Sequence, residues 1–159
     1  NCGGAFLPAM TKLRALTLSR VEVWNGTENI CKLPNLALLD LSGCTIGGDF
    51  RGIANLTNLH SLAMDEVKLV ANVDVWSDGF FTSIDYDDLT VQDMMPFVGQ
   101  LSNLTYLSAG GNELTDLSFV EGMTSLTYLD VSDNYITDLS PLEGLEHLEV
   151  AFTQENPVL

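Results

Sequence analysis

An α/β solenoid, its coils wound one after another around a continuous core, is the fold predicted by three observations. First, an apolar residue opens a copy of one pattern at Leu13, Leu36, Leu59, Phe81, Leu104, Leu126 and Leu148, with offsets of 23, 23, 22, 23, 22 and 22 residues. Second, each copy reads apolar-x-x-apolar-x-apolar, as in Leu104, Leu107 and Ala109 and again in Leu126, Leu129 and Val131. Third, 46% of the 159 residues are apolar, enough for a packed core and too many for a disordered chain. Self-similarity at this period means that each copy buries its apolar face only by stacking on its neighbours.

With the first apolar residue as position 1, the apolar set falls at positions 1, 4, 6 and 11; in the sixth copy these are Leu126, Leu129, Val131 and Ile136. Positions 4 and 6 alternate with polar neighbours, the period of a strand with one buried face. A short strand is therefore expected over about positions 3 to 8, and identical strands at a fixed interval stack in parallel. Seven of them would make a ribbon roughly 29 Å long at about 4.8 Å per gap. The expected organisation is a cap or partial repeat over residues 1–12 and a solenoid of about seven repeats over 13–159, the last incomplete.

Position 9 decides how the turn after each strand is held. It is Asn112, Asn134 and Asn156 in the last three copies. An asparagine carries two donors and an acceptor and can bond backbone groups of its own and the neighbouring loop, so stacked copies form a structural ladder. The first four copies have Val21, Cys44, Val67 and Leu89 there, which predicts a less regular N-terminal half. The return segment is clearest at Asp138-Leu-Ser-Pro-Leu-Glu-Gly144, where Pro141 suits a first helical turn and the length allows only a short 3₁₀ or one-turn helix. The third return, from Leu69 to Phe80, lacks that spacing and is expected to be irregular or extended.

Asp plus Glu number 22 against 6 Lys plus Arg, a formal net charge of −16. Such a chain repels phosphate backbones, which argues against nucleic acid and toward a basic partner or simple solubility. No run of 18 apolar residues is present, so no membrane span is expected, and no basic stretch precedes an apolar one as in a signal peptide. Three cysteines, Cys2, Cys31 and Cys44, leave at least one thiol unpaired. Cys44 occupies a core position, while Cys2 and Cys31 can pair across the first coil or remain thiols. No CxxC spacing suggests zinc, and no cofactor is expected.

The run Leu126-Thr-Tyr-Leu-Asp-Val-Ser-Asp-Asn-Tyr-Ile-Thr-Asp-Leu-Ser-Pro-Leu-Glu-Gly-Leu145 closely resembles the 22-residue leucine-rich repeat of bacterial internalin-like surface proteins, and a similar unit occurs in eukaryotic phosphatase-regulatory proteins. The resemblance is strong over 104–148, weaker over 36–69, and only pattern-deep over 13–35 and 70–103. It implies a curved parallel sheet on the concave side, short 3₁₀ or irregular segments on the convex side, no catalysis, and partner binding by the concave face. It carries over no individual binding residue.

Outward positions 3, 5, 7 and 8 supply the candidate ligand-binding residues. Tyr106, Tyr128 and Phe152 fall near the C-terminal end, where they can anchor a partner or simply stack across strands. Asp65, Glu66, Asp85, Asp87 and Asp88 gather on the third and fourth expected strands, with Asp130 further along. Like charges so placed need a basic surface, a cation such as calcium, or solvent to relieve them; no calcium-loop motif is present, and no metal site is assigned. Asn25-Gly-Thr27, Asn55-Leu-Thr57 and Asn103-Leu-Thr105 are formal glycosylation acceptors, which repeat grammar alone also produces.

His60 and His147 are the available imidazole bases, with no nucleophile beside either, so no enzyme is expected. The leading expectation is a noncatalytic module on a bacterial cell surface or outside the cell, recognising a protein or a glycan through the concave sheet. The alternatives are an intracellular regulatory repeat protein that docks on an enzyme, and a structural segment of a larger adhesin. The sequence leaves the oligomeric state open.

Overall fold

The computed structural model describes residues 7–24, 27–48, 50–70, 72–77, 80–85 and 89–158. In chain order its strands are β1 (Ala15–Thr17), β2 (Glu22–Trp24), β3 (Leu38–Asp40), β4 (Thr45–Gly47), β5 (Ser61–Ala63), β6 (Lys68–Val70), β7 (Asn72–Ser77), β8 (Phe80–Asp85), β9 (Tyr106–Ser108), β10 (Tyr128–Asp130) and β11 (Val150–Phe152). Helix α1 spans Thr27–Ile30 and helix α2 Val91–Val98; 3₁₀ turns occupy Leu7–Ala9, Arg51–Asn55, Ser118–Val120 and Ser140–Gly144.

The main sheet is parallel and six-stranded, in the order β1-β3-β5-β9-β10-β11. Its register is uniform: position 3 pairs with position 3 at every step, from Ala15 with Leu38 to Tyr128 with Val150. Position 4 of the first five of these strands is Leu16, Leu39, Leu62, Leu107 and Leu129, and the last four of those leucines are fully buried. Positions 1, 6 and 11 add Leu36, Leu59, Leu104, Leu126, Leu41, Met64, Val131, Ile46 and Ile136 to the same core. Burying such side chains contributes about 1.5–3 kcal/mol each, the main gain offsetting the entropy of ordering the coils.

One expected strand is not in that sheet. The copy beginning at Phe81 forms β8, which pairs antiparallel with β7 from Asn72 opposite Asp85 to Ser77 opposite Phe80. The main sheet therefore has six strands, about 24 Å across five gaps, and β5 lies directly beside β9, with Ser61 opposite Tyr106 and Ala63 opposite Ser108. Two residues, Asp78 and Gly79, separate the hairpin strands in sequence, and Asp-Gly is among the dipeptides that favour a two-residue reversal. The third return is extended, as β6 and β7, in keeping with its missing LxxL spacing.

Helix α2 closes the detour. Thr90 caps it: its side chain accepts from the Asp93 amide, and Asp93 Oδ2 accepts from the Thr90 amide at 2.8 Å. The Thr90 amide and hydroxyl, both donating to Asp93 Oδ2, favour the carboxylate and hold Asp93 below the usual aspartate range. Met94, Met95 and Val98 are buried between the 3₁₀ turn at Arg51–Asn55 and that at Ser118–Val120. Pro96 cannot donate within the helix. Gln92 ties the helix to the next coil instead, its Oε1 accepting from the Thr115 and Asp116 amides at 2.9 and 3.1 Å.

Two devices hold the turns that follow the strands. In the last coils Asn134 Oδ1 accepts from the Asn112 and Leu114 amides at 3.0 and 2.9 Å, while its Nδ2 donates to Ala109, Val131 and Ser132. Asn112 Oδ1 accepts from Val67 at 2.9 Å and Asn156 Oδ1 from Ile136 at 2.9 Å. Each asparagine thus satisfies the coil before it. In the first three coils positions 10 to 12 form a second parallel sheet, β2-β4-β6, so backbone pairing replaces the amide ladder. The N-terminal half is regular in a different way rather than irregular.

Cys44 stands on the ladder position of the second coil and donates its thiol to the Leu18 carbonyl, as Asn112 Nδ2 donates to the Met64 carbonyl at 2.8 Å. Burial pushes its pKa up, so it stays a protonated donor. Cys31 is buried, and its pairing with Cys2 falls outside the described residues because Cys2 does. Position 8 is left-handed in every coil of the main sheet: Arg20, Gly43, Glu66, Gly111, Asp133 and Glu155 have φ between 51° and 69°. Glycine fits there without strain at Gly43 and Gly111.

Candidate functional site

The outward face of the main sheet is built from positions 3 and 5. At its C-terminal end these bring three aromatic rings into one row. Tyr106 and Tyr128, adjacent in register, stack with centroids 4.3 Å apart and planes 11° from parallel. Phe152 meets Tyr128 at 5.8 Å and 57°. Strand spacing near 4.8 Å places side chains of the same position within stacking reach, so the row follows from the register. Such pairs contribute about 0.5–1.5 kcal/mol beyond burial, yet Phe152 remains 40% exposed at the open end of the row. Burial first, then Tyr106 and the carboxylates of Asp130 and Asp65, pushes the Tyr128 phenol above its ordinary pKa. It is therefore a neutral hydrogen-bonding group at the centre of the row.

The acidic candidates separate. Asp65 is half-buried and its Oδ1 accepts from Ser108 Oγ at 2.6 Å and the Gly110 amide at 2.7 Å. It clamps β5 to β9 across the hairpin detour. Asp130 accepts from the Ser132 amide at 2.9 Å and hydroxyl at 2.6 Å, an Asx turn that Asp40 repeats with the Ser42 amide at 2.9 Å. Asp85 leaves the main sheet with β8, because the hairpin takes that strand, so the expected cluster of Asp85 beside Asp65 on one sheet is corrected. Asp87 and Asp88 lie outside the described residues, and among the described residues no group of acidic, histidine or cysteine side chains has the arrangement of a metal site.

Sequence position predicts less about charge than its distribution does. All 6 Lys and Arg lie between residues 12 and 68, where 6 Asp and Glu balance them; residues 69–159 carry the other 22 − 6 = 16 acidic residues and no Lys or Arg. The aromatic row therefore sits in the half of the chain that holds the whole net charge. In the turns that follow the strands of the same coils a rim cleft of about 560 Å³ is lined by Glu113, Asp133, Tyr135 and Glu155 among others, and Tyr135 is 59% exposed.

A second ladder, on the side where the chain runs into each strand, went unread in the sequence. The residue just before position 1 donates to the preceding coil: Asn35 Nδ2 to the Thr11 carbonyl at 2.6 Å, Asn58 to Pro34 at 2.8 Å, Asn103 to Thr57 at 2.8 Å, and His147 Nδ1 to Thr124 at 3.0 Å. The signal was present in the Asn-Leu pairs at 35, 58 and 103, recurring at the repeat interval. Asn103 of the Asn-Leu-Thr triplet thus has a structural role, which accounts for the triplet without glycosylation. His60 Nδ1 likewise bonds the Asn58 carbonyl at 2.7 Å.

Residues 102–150 match the family described as Leucine Rich repeats (2 copies). Among curated proteins no relative matches at significant similarity. Among solved structures, an internalin (InlF) from Listeria monocytogenes superposes with a TM-score of 0.71 and 26% identity over 94% of this chain and 37% of that one. An internalin C2 of the same organism gives 0.63 and 24% over 96% of this chain and 66% of its own. The Arabidopsis receptor kinase HAESA ectodomain, solved in complex with a peptide hormone, gives 0.68 and 19% over 95% and 23%. The chain therefore spans between 37% and 66% of the length of these internalins. The coil interval, the parallel sheet, the asparagine ladder and these likenesses agree on a leucine-rich repeat solenoid that is similar in structure to the internalins.

Proposed function

We propose that this solenoid is a noncatalytic recognition module of a bacterial cell surface, and that it binds a protein with a basic surface through the C-terminal half of its concave face. The observation that carries this is the row Tyr106, Tyr128 and Phe152, set on adjoining strands in a stretch of chain without a single Lys or Arg. Rings fixed by stacking lose little freedom on binding, and tyrosine is among the residues that dominate interface energetics. The surrounding carboxylates steer a cationic partner toward them. Leucine-rich repeat domains generally serve protein interaction, and the HAESA ectodomain is described in complex with a peptide hormone. The surface location rests on the likeness to internalins.

The same face is compatible with a segment of a longer adhesin, a reading favoured by the 37% coverage of InlF. A glycan ligand would use the aromatic row without needing the carboxylates. Selecting a random displayed-peptide library on the chain tests these readings. Enrichment of cationic peptides whose binding falls about tenfold or more in Tyr128→Ala supports the proposal. Enriched peptides that bind Tyr128→Ala and Tyr106→Ala as they bind the wild type would overturn it, and aromatic-dependent capture of neutral glycans in place of peptides would replace it.

A further inference from the structure

At the opposite end of the same sheet the repeat grammar creates a second concavity. A cleft of about 390 Å³ is lined by Lys12, Arg14, Asn35, Ala37, Asn58 and His60. These six are two positions of three successive coils. Lys12, Asn35 and Asn58 precede position 1, and Arg14, Ala37 and His60 occupy position 2. The coils are locked in register there: the Ala37 amide donates to the Arg14 carbonyl at 2.8 Å and the His60 amide to the Ala37 carbonyl at 2.9 Å. Arg14 and His60 therefore stand two strand spacings apart, about 10 Å. Ala37, the smallest of the three, leaves the gap between them open.

Three physical facts define what fits. The lining holds two cations and no carboxylate, in a protein of net charge −16. Among the described residues Lys12 and Arg14 have no carboxylate within ion-pair distance, the Lys32–Glu28 pair lying elsewhere. The acidic half begins three strand gaps from β1, roughly 14 Å, beyond the screening length of about 8 Å at physiological salt. His60 supplies direction. Its Nδ1 hydrogen is spent on the Asn58 carbonyl, so in the neutral ring Nε2 is left as an acceptor. An anion that also carries a hydroxyl meets both demands, with charged oxygens toward Lys12 and Arg14 and an O–H toward Nε2. Phosphate at neutral pH is such an anion, and guanidinium recognises it with a matching fork of donors.

We propose that the cleft across the first three coils is a binding site for a phosphate group, held by Lys12 and Arg14 on one side and His60 on the other, over the space left by Ala37. The cleft has room for the group that bears the phosphate, and a monoester, whose dianion at neutral pH has no P–OH, is expected to bind more tightly than the free ion where that group brings its own hydroxyl to His60 Nε2, as a sugar phosphate does. The site is separate from the aromatic row and does not depend on its role.

The test is a titration of the isotope-labelled chain with inorganic phosphate, with glucose 6-phosphate, and with sodium chloride at matched ionic strength, read by NMR. Shifts in the Asn35 and Asn58 side-chain amides and the His60 ring are expected with both phosphates and not with chloride. A free-ion response that the ester does not strengthen identifies phosphate itself as the ligand; a stronger ester response identifies the monoester. Lys12→Gln and Arg14→Gln, both exposed, should each weaken binding about tenfold, and Ala37→Met should abolish it while leaving every charge in place. Tyr128→Ala should bind phosphate as the wild type does. Absent shifts, equal shifts with chloride, or wild-type affinity in the Lys12→Gln/Arg14→Gln double variant or in folded Ala37→Met would overturn the proposal.

Discussion

The first three and last three coils of the main sheet solve one problem in two ways. In both halves the chain leaves a buried strand and must satisfy backbone groups in the turn that follows. The C-terminal coils, at Asn112, Asn134 and Asn156, do so with a side chain that accepts and donates at once. The N-terminal coils pair β2, β4 and β6, and use the Cys44 thiol for the Leu18 carbonyl. The seam between the two styles is the β5–β9 junction, where Asn112 reaches back to Val67 and Met64, and Asp65 reaches forward to Ser108 and Gly110. A side-chain ladder concentrates its stabilisation in single residues, whereas strand pairing spreads it over many. Charge divides along the same line, neutral before the junction and wholly acidic after it.

The largest effect common to both halves should come from the core. Leu129→Ala and Leu39→Ala each empty a fully buried position and should cost about 2–5 kcal/mol in urea denaturation. Equal losses would show that the two halves unfold as one unit, and a loss confined to one phase of the transition would separate them. Next is the ladder itself: Asn134→Leu strands two amides and takes a donor from three carbonyls, of which Val131 and Ser132 keep another, for about 2–4 kcal/mol. Cys44→Ala removes one weak bond and should cost about 1 kcal/mol beyond the small cavity. A Cys44→Ala loss as large as that of Asn134→Leu would break the contrast between the halves.

Asp65→Ala should cost about 1–2 kcal/mol by unclamping the seam, and hydrogen exchange should rise at Gly110 before it rises at Leu129. The smallest effect concerns pH. Asp93 and Asp138 are held below the usual aspartate range, chiefly by the amide hydrogen bonds at Thr90 and Ser140. A lowered native pKa means that the unfolded state binds protons first, so their contribution is present above the unfolded value and lost as pH falls through the native one. Carbon-detected NMR should find both titrating below the value of a free aspartate. Ordinary titration of both would remove the contribution.

Much of this was legible in the repeat. The interval placed six of seven strands correctly, because the leucines at position 4 have no alternative to the core and the strand period admits only one register. The asparagine ladder was legible because a polar residue recurring beside buried positions must be bonded. The copy starting at Phe81 misled, since Phe81, Ile84 and Tyr86 roughly match the pattern while the same residues also suit a hairpin strand. The Asp78-Gly79 pair was the competing signal. Of the candidate site, the tyrosines and Phe152 were readable as neighbours; that Asp65 is a clamp and that Asp85 leaves the sheet were not.

What the sequence alone determined is the coil: its length, its buried leucines, its parallel strand and its aromatic row, since these depend on side chains repeating at a fixed interval along one chain. Only the tertiary structure decided which coils touch. By looping out the hairpin it set Asp65 against Gly110, and by stacking three coils in register it gathered Lys12, Arg14 and His60 around Ala37. Contacts between coils depend on which neighbour is adjacent, and adjacency is a property of the stacked chain, not of any one repeat.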